Sequence, residues 1–211
     1  MVKTHKIKYD TSKYPFRSLL KKVLGENSLE NLHQVKKYEM FTEPTDQDTI
    51  WHRTYYDKFM GEFYPLYKEF IEDFVKPHFG YDEVIYQKVP TFRVHQVDNL
   101  GVGEWHRDRD YNHGVDEINL WLPFTDAYGT NTIWMESEEG KEDFEGYDVS
   151  YGEVLVFSGP NLLHGNKTNV EMDTRCSIDF RILHPDKFVS SDKGSVTANI
   201  KFKLGGYFEK V

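Results

Sequence analysis

Between Val102 and Phe124 the chain reads VGEWHRDRDYNHGVDEINLWLPF, and in it His106 and Asp108 are separated by one residue. On an extended strand, residues i and i+2 project from the same face, so an imidazole and a carboxylate at this spacing reach one ion together. A third ligand completes a facial two-histidine, one-carboxylate site, the arrangement that leaves coordination positions open on non-haem Fe(II). His164, 58 positions after His106 in VLVFSGPNLLHGN, supplies it from beyond a strand-like run and a Gly-Pro turn. Arg175 follows His164 by 11 positions, and Ser177 follows Arg175 by two. On a strand, Arg175, Ser177, Asp179 and Arg181 share one face, while Cys176, Ile178, Phe180 and Ile182 take the other. An arginine fork beside a hydroxyl is a clamp for a carboxylate.

Each signal has a plainer reading. With nine histidines and many acids, His-x-Asp arises by composition alone, and His184-Pro185-Asp186 is a second match. That one fails, because proline breaks a strand ladder and no histidine follows to complete a triad. For Asp179 and Arg181 taken singly, a water-facing strand with the two paired is the simpler expectation. For Arg175 the spacing to His164 outweighs it.

The elements that must position these groups fall into two kinds. From Glu83 the pattern has period two: VIYQKV, TFRVHQV, EINLWLPF, TIWME, GEVLVFSG and RCSIDFRIL alternate or run as short strands between Gly, Pro, Asn and Asp clusters. Six or more strands without intervening helices predict a barrel or two-sheet jelly roll. Before them, Ile50, Phe59, Phe63, Leu66, Phe70 and Phe74 step mostly by three or four, the period of an amphipathic helix. Thr45 or Asp46 would cap it, Pro77 with Gly80 would stop it, and Pro65 predicts a kink or a break into two. A shorter helix is expected over Phe16–Leu24, ending at Gly25. The fold class is therefore mainly β with a helical N-terminal part. The expectation is one domain over 1–211: mostly helical support (1–82), a jelly-roll core (83–185) and a C-terminal extension (186–211) with one strand-like stretch, Val196–Leu204. The segment Met135–Asp148, with seven carboxylates and one lysine, reads as a solvated loop.

Composition narrows the partners. Of 211 residues, 26 are Lys or Arg and 35 Asp or Glu, a net charge of −9. Such a chain has no bulk field for phosphate backbones, which argues against nucleic acid. No apolar run approaches the roughly 20 residues of a membrane-spanning helix, and the first residues lack a signal peptide's apolar stretch. A single cysteine, Cys176, suits a reducing cytoplasm.

His106-x-Asp108, His164 and Arg175-x-Ser177 together resemble the signature of Fe(II)/2-oxoglutarate-dependent dioxygenases. HGN…R-x-S-x-D-x-R and EINLWLPFTD are most similar to the phytanoyl-CoA-hydroxylase-like and streptomycin-biosynthesis-type small-molecule hydroxylases. The resemblance spans Pro90 to about Leu183. It implies a double-stranded β-helix (a cupin-like jelly roll) backed by helices, with His106, Asp108 and His164 as iron ligands. It also implies Arg175 on the distal carboxylate of 2-oxoglutarate, Ser177 assisting, and Asn119 touching the cosubstrate. Oxidative decarboxylation with O2 would release succinate and CO2 and hydroxylate an unactivated C–H bond of a small molecule. Related halogenases lack the acid at the position of Asp108, so Asp108 argues for oxygen insertion or desaturation. Arg181, on the face of Arg175, leaves open which arginine binds the cosubstrate.

Substrate-facing candidates bracket the metal motif: Arg109, Asp110, Tyr111 and His113 after it, and Arg93 with His95 on an adjacent strand. Arg181 joins them by its face. The acidic segment 136–148 favours a cationic substrate if it overhangs the site. Three other readings stand beside this one. A protein kinase, suggested by His106-Arg107-Asp108, is excluded: His113 stands where the catalytic loop needs Asn, and there is no Gly-rich loop. A cupin-type metalloenzyme without 2-oxoglutarate would not need the Arg175–Ser177 clamp. A non-enzymatic binding module would be free to lose metal ligands. Oligomeric state is not legible from the chain.

Overall fold

The computed structural model describes residues 2–38, 48–101, 104–195 and 200–211. The chain opens with a strand, β1 (His5–Lys8), and the helix α1 (Phe16–Leu24). Phe16, Leu20 and Val23 form its buried face, and Gly25 ends it with a φ of 74° that suits glycine. A short α2 (Leu32–Val35) follows.

Residues 50–78 form one continuous helical run. It comprises α3 (Ile50–Lys58), a π turn at Phe59–Phe63, α4 (Tyr64–Phe70), a second π turn at Ile71–Val75, and α5 (Lys76–His78). Thr49 caps it, and the His52 ring bonds back to the Thr49 amide. The expected caps Thr45 and Asp46 lie outside the described residues. The buried stripe differs from the expected one. Trp51, Tyr55, Phe59, Phe63, Tyr67, Ile71 and Val75 are all buried and step by four, whereas Ile50 is exposed, and Leu66 and Phe74 are only half-buried. An α-helix has about 3.6 residues per turn, so a strict step of four drifts around it. A π turn takes one extra residue and winds the stripe back onto the core. Pro65 does not break the run into two helices. Pro65 and Pro77 each stand two residues beyond a π turn, where the displaced ladder absorbs the missing N–H.

The remaining strands are β2 (Ile85–Gln87), β3 (Thr91–His95), β4 (Ile118–Pro123), β5 (Ile133–Met135), β6 (Glu145–Tyr147), β7 (Glu153–Phe157), β8 (His164–Gly165), β9 (Arg175–Leu183) and β10 (Phe208–Lys210). They build two antiparallel sheets. The larger has the order β1-β7-β4-β9-β2-β10, with β3 also pairing β9, and the smaller has β6-β5-β8. Each of the six strands expected between Glu83 and Leu183 is present, whereas residues 200–204 of the expected tail stretch form no strand. β1, β6, β8 and β10, two to four residues long, were not expected as strands. The tail's strand is β10, pairing β2. Of the expected stretch Val196–Leu204, residues 196–199 lie outside the described residues.

β9 is central, and all nine of its residues are buried. Its even-numbered side chains join Phe92, Val94, Leu120, Val154 and the helical aromatics in one hydrophobic cluster. Phe180 meets Tyr67 edge-on at 5.2 Å, and Phe92 stacks on Tyr55 at 4.5 Å. The helices thus cover one face of the large sheet, leaving the odd-numbered face of β9 for the site. Among the described residues, no helix is long and apolar enough to cross a membrane.

Candidate metal centre

His106 and Asp108 are not carried on one strand. His106 makes a single antiparallel bridge to His164, with both N–H···O distances 3.0 Å, and Asp108 already opens a 3-10 turn (Asp108–Tyr111). The turn forms because the Asp108 amide donates to the Gly159 carbonyl at 3.0 Å, pulling the chain out of the extended path. Tertiary contact therefore does what strand alternation was expected to do. One ligand atom each from His106, Asp108 and His164 lies within 4.8 Å of the others, and this triad is the metal-suited cluster found among the described residues.

The donor set fits a divalent metal by its own hydrogen bonds. His106 Nδ1 donates to the Glu104 carbonyl at 2.9 Å and His164 Nδ1 to the Leu162 carbonyl at 2.8 Å. Those bonds fix the tautomer in which Nε2 carries the free lone pair. Asp108 Oδ1 lies 3.5 Å from His106 Nε2 and 3.7 Å from His164 Nε2. Its Oδ2 is held from behind by Arg181 Nε at 3.1 Å, Arg181 Nη2 at 2.9 Å and Asn119 Nδ2 at 2.7 Å. One carboxylate oxygen is occupied and the other is left for an ion.

Burial opposes the charge on Asp108, yet the Arg181 guanidinium, with the histidines, holds its carboxyl well below the usual range. Burial brings His164 down to about 4, against the pull of Asp108. Burial also works against a proton on His106, but its contact with Asp108 prevails and raises it. His164 is thus neutral at neutral pH.

The two arginines on the site face have different company. Arg181, expected on a water-facing side or at the substrate, is buried and committed. Besides Asp108, its Nη1 donates to Gln87 Oε1 and Asp179 Oδ2, both at 3.1 Å. Among the described residues Arg175 has no carboxylate partner. Its Nε donates to the Asn131 carbonyl at 3.0 Å, Nη1 to Ser177 Oγ at 3.0 Å, and Nη2 approaches His95 Nδ1 at 3.3 Å. Burial brings it down to about 10. His95 is kept neutral, near 3, by burial and by Arg175. Its Nε2–H donates to the Asn99 carbonyl at 2.8 Å, and its Nδ1, which also lies 3.3 Å from the Asn131 carbonyl, accepts from Arg175 Nη2.

One cavity between the sheets is lined by both metal-site histidines and by Arg93, Asn119, Arg175 and Arg181. Trp121, Phe157 and Ile133 supply its apolar wall. Asn119, expected at the cosubstrate, holds Asp108 through Nδ2, while its Oδ1 is buried without a partner. Gly159 is needed behind it, since a Cβ there would come within 2.4 Å of the Asn119 amide.

Arg109 and His113, expected at the substrate, do not reach the cavity. Arg109 pairs with Glu139 at 2.6 Å, and His113 with Glu117 at 2.8 Å while packing on Phe202. Tyr111 instead sets its ring against His106 at 5.1 Å. The acidic segment is not a simple solvated loop either. It includes β6, and its Glu136 is wholly buried, accepting from Arg107 Nη2 at 2.8 Å and from the Leu163, Gly140 and Glu142 amides. None of its carboxylates lines the cavity. Asn166, which does line it, was not singled out; its signal was its place two residues after His164.

The fold of two antiparallel sheets is shared with solved structures. AviO1 from Streptomyces viridochromogenes Tue57 superposes with a TM-score of 0.50 at 16% identity, covering 90% of this chain and 93% of that one. CytC3, solved with Fe(II) and alpha-ketoglutarate, superposes with a TM-score of 0.51 at 13% identity, covering 90% of this chain and 78% of that one. No family profile matches the chain. In sequence it is 37% identical over 211 residues, the whole length of both chains, to the streptomycin biosynthesis protein StrG of Streptomyces griseus. The chain belongs to the StrG family.

Proposed function

We propose that this protein is an Fe(II)- and 2-oxoglutarate-dependent oxygenase of jelly-roll fold. It hydroxylates an unactivated C–H bond of a small molecule and releases succinate and CO2. The observation that carries this reading is the pairing of a pre-oriented His106–Asp108–His164 donor set with a buried arginine, Arg175, that lacks an anion. A buried guanidinium without a carboxylate is costly unless a ligand supplies one. The Arg175 fork and the Ser177 hydroxyl suit the distal carboxylate of 2-oxoglutarate. That clamp favours this reading over a cupin-type enzyme working without the cosubstrate.

Bound Fe(II) would supply the activation of O2 coupled to cosubstrate decarboxylation. The chain's own part is positional. The carbonyls of Glu104 and Leu162 hold both imidazoles with Nε2 free, and Arg181 with Asn119 presents one oxygen of Asp108. His95 braces the Arg175 fork, and the Trp121–Phe157–Ile133 wall keeps water from the reacting atoms. A cytoplasmic setting, where Cys176 stays reduced and iron ferrous, suits this chemistry.

Anaerobic addition of Fe(II) and 2-oxoglutarate to the purified protein is expected to produce the weak visible metal-to-ligand charge-transfer band. Arg175→Ala should abolish it at cosubstrate concentrations that saturate the wild type, and His106→Ala should abolish it at any concentration. A wild type without the band, or a band indifferent to both substitutions, overturns the assignment. Succinate formed in air then reports turnover without knowledge of the substrate.

A further inference from the structure

We infer that Arg93 forms an oxyanion subsite for the substrate, so that the molecule oxidised carries a carboxylate or phosphate group beside the carbon that reacts. This rests on the function proposed above and deepens it by naming a substrate class.

Arg93 stands on β3 directly across from Ser177 of β9, on the same face as Arg175 and Arg181. It lines the cavity that holds His106 and His164. Among the described residues its one ion pair is loose: Nε lies 3.5 Å from Asp179 Oδ1, while the other oxygen of Asp179 serves Arg181 at 3.1 Å. Its Nη1 is buried and has no hydrogen-bond partner. A guanidinium presents five donors in a rigid fork, and an unmade bond in a desolvated place is expensive. A ligand oxygen meeting Nη1 removes that cost.

Charge points the same way. Three guanidinium groups, on Arg93, Arg175 and Arg181, face two carboxylates, those of Asp108 and Asp179. A divalent ion and doubly charged 2-oxoglutarate cancel each other, so their arrival leaves one positive charge in surplus. Arg175, with Ser177 beside it, already provides a fork and a hydroxyl for the single distal carboxylate of the cosubstrate. Arg93 is then a second fork requiring a second anion, and the substrate is what remains to bring it. The acidic segment gives no counterweight, because none of its residues lines the cavity and its Glu136 and Glu139 are held by Arg107 and Arg109.

The test uses the protein loaded anaerobically with Fe(II) and saturating 2-oxoglutarate, titrated calorimetrically with inorganic phosphate in one arm and acetate in the other. One of the two should bind in the millimolar range, and which one distinguishes a phosphate ester from a carboxylic acid as the natural group. Arg93→Gln should weaken that anion at least tenfold while leaving 2-oxoglutarate affinity within about twofold. Should R93Q fail to fold, R93K carries the test: a point charge replaces the fork, so binding weakens several-fold, and unchanged affinity overturns the proposal. It is equally overturned if neither anion binds the wild type, or if R93Q loses 2-oxoglutarate as R175A does, which would make Arg93 part of the cosubstrate clamp. A wild type that takes up no 2-oxoglutarate overturns the proposed function itself, and the division of labour between the arginines with it.

Discussion

The two faces of β9 differ in everything except burial. On one side Cys176, Ile178, Phe180 and Ile182 enter a hydrocarbon core continuous with the long helix; on the other Arg175, Ser177, Asp179 and Arg181 are as deeply enclosed yet charged or polar. The apolar face is held by packing alone and tolerates no voids. The polar face is held by mutual pairing, and each group there is stable only while its partner is present. One strand thus anchors the fold with its even residues and builds a reactive site with its odd ones. A defect on one face should leave the other largely intact.

The sharpest way to break that comparison is Phe180→Ala. Loss of the ring against Tyr67 should cost about 3–5 kcal/mol in urea unfolding while the folded fraction keeps wild-type Fe(II) affinity. A matching loss of metal binding would mean the faces are not independent. Arg181→Gln attacks the other side. Stripping Asp108 and Asp179 of their buried partner should cost about 3–5 kcal/mol, and Fe(II) affinity should fall roughly 10–100-fold because Asp108 is no longer aimed. Stability lost without metal affinity would show that Arg181 neutralises Asp108 without orienting it.

Each side of the sheet also encloses a neutral imidazole: His52, against Phe92 on the helical side, and His95, against Arg175 on the site side. Burial brings both from 6.5 to about 3. Above 6.5 neither state binds the proton, so the pair is silent. Below it the unfolded chain takes up protons that the folded chain refuses, so stability falls as pH drops from 6.5 toward 3. At pH 5 each should cost about 2 kcal/mol. Urea titrations at pH 7, 6 and 5 measure this, and His52→Phe should reduce the loss at pH 5 by about 2 kcal/mol, His95 and His164 supplying the rest; an unchanged slope would remove His52 from the account. The smallest effect expected is from Ser177→Ala, which deletes one acceptor from Arg175 and should weaken 2-oxoglutarate by about 1 kcal/mol. A loss as large as that of R175A would mean the hydroxyl, not the fork, carries the clamp.

What was legible in the chain follows the same division. Period two identified the six strands expected between Glu83 and Leu183 and sorted β9 into its two faces, because alternation is a property of the local backbone. The helix at 50–78 was legible in kind and Phe59, Phe63 and Phe70 of its stripe are buried, but Ile50, Leu66 and Phe74 are not, because a step of four fits neither an α nor a π ladder alone. His106, Asp108, His164 and Arg175 were legible from spacing. Arg109 and His113 were drawn into the site by proximity in sequence, yet the turn at 108–111 aims them at Glu139 and Glu117 instead. Glu136 stood in an acidic run that reads as solvated, and nothing local marks the one carboxylate that Arg107 and three backbone amides enclose.

The residue types available for a metal and an anion, and the face of β9 that carries Arg175, Ser177, Asp179 and Arg181, are readable from the chain alone. Only the tertiary structure decided how the charges are shared. It placed Arg181 behind Asp108, left Arg175 without a carboxylate, and gave Arg93 half of one. The reason is physical: the partner of a buried charge lies across strands, tens of residues away, and pairing energy in a desolvated space depends on distances that no local pattern encodes.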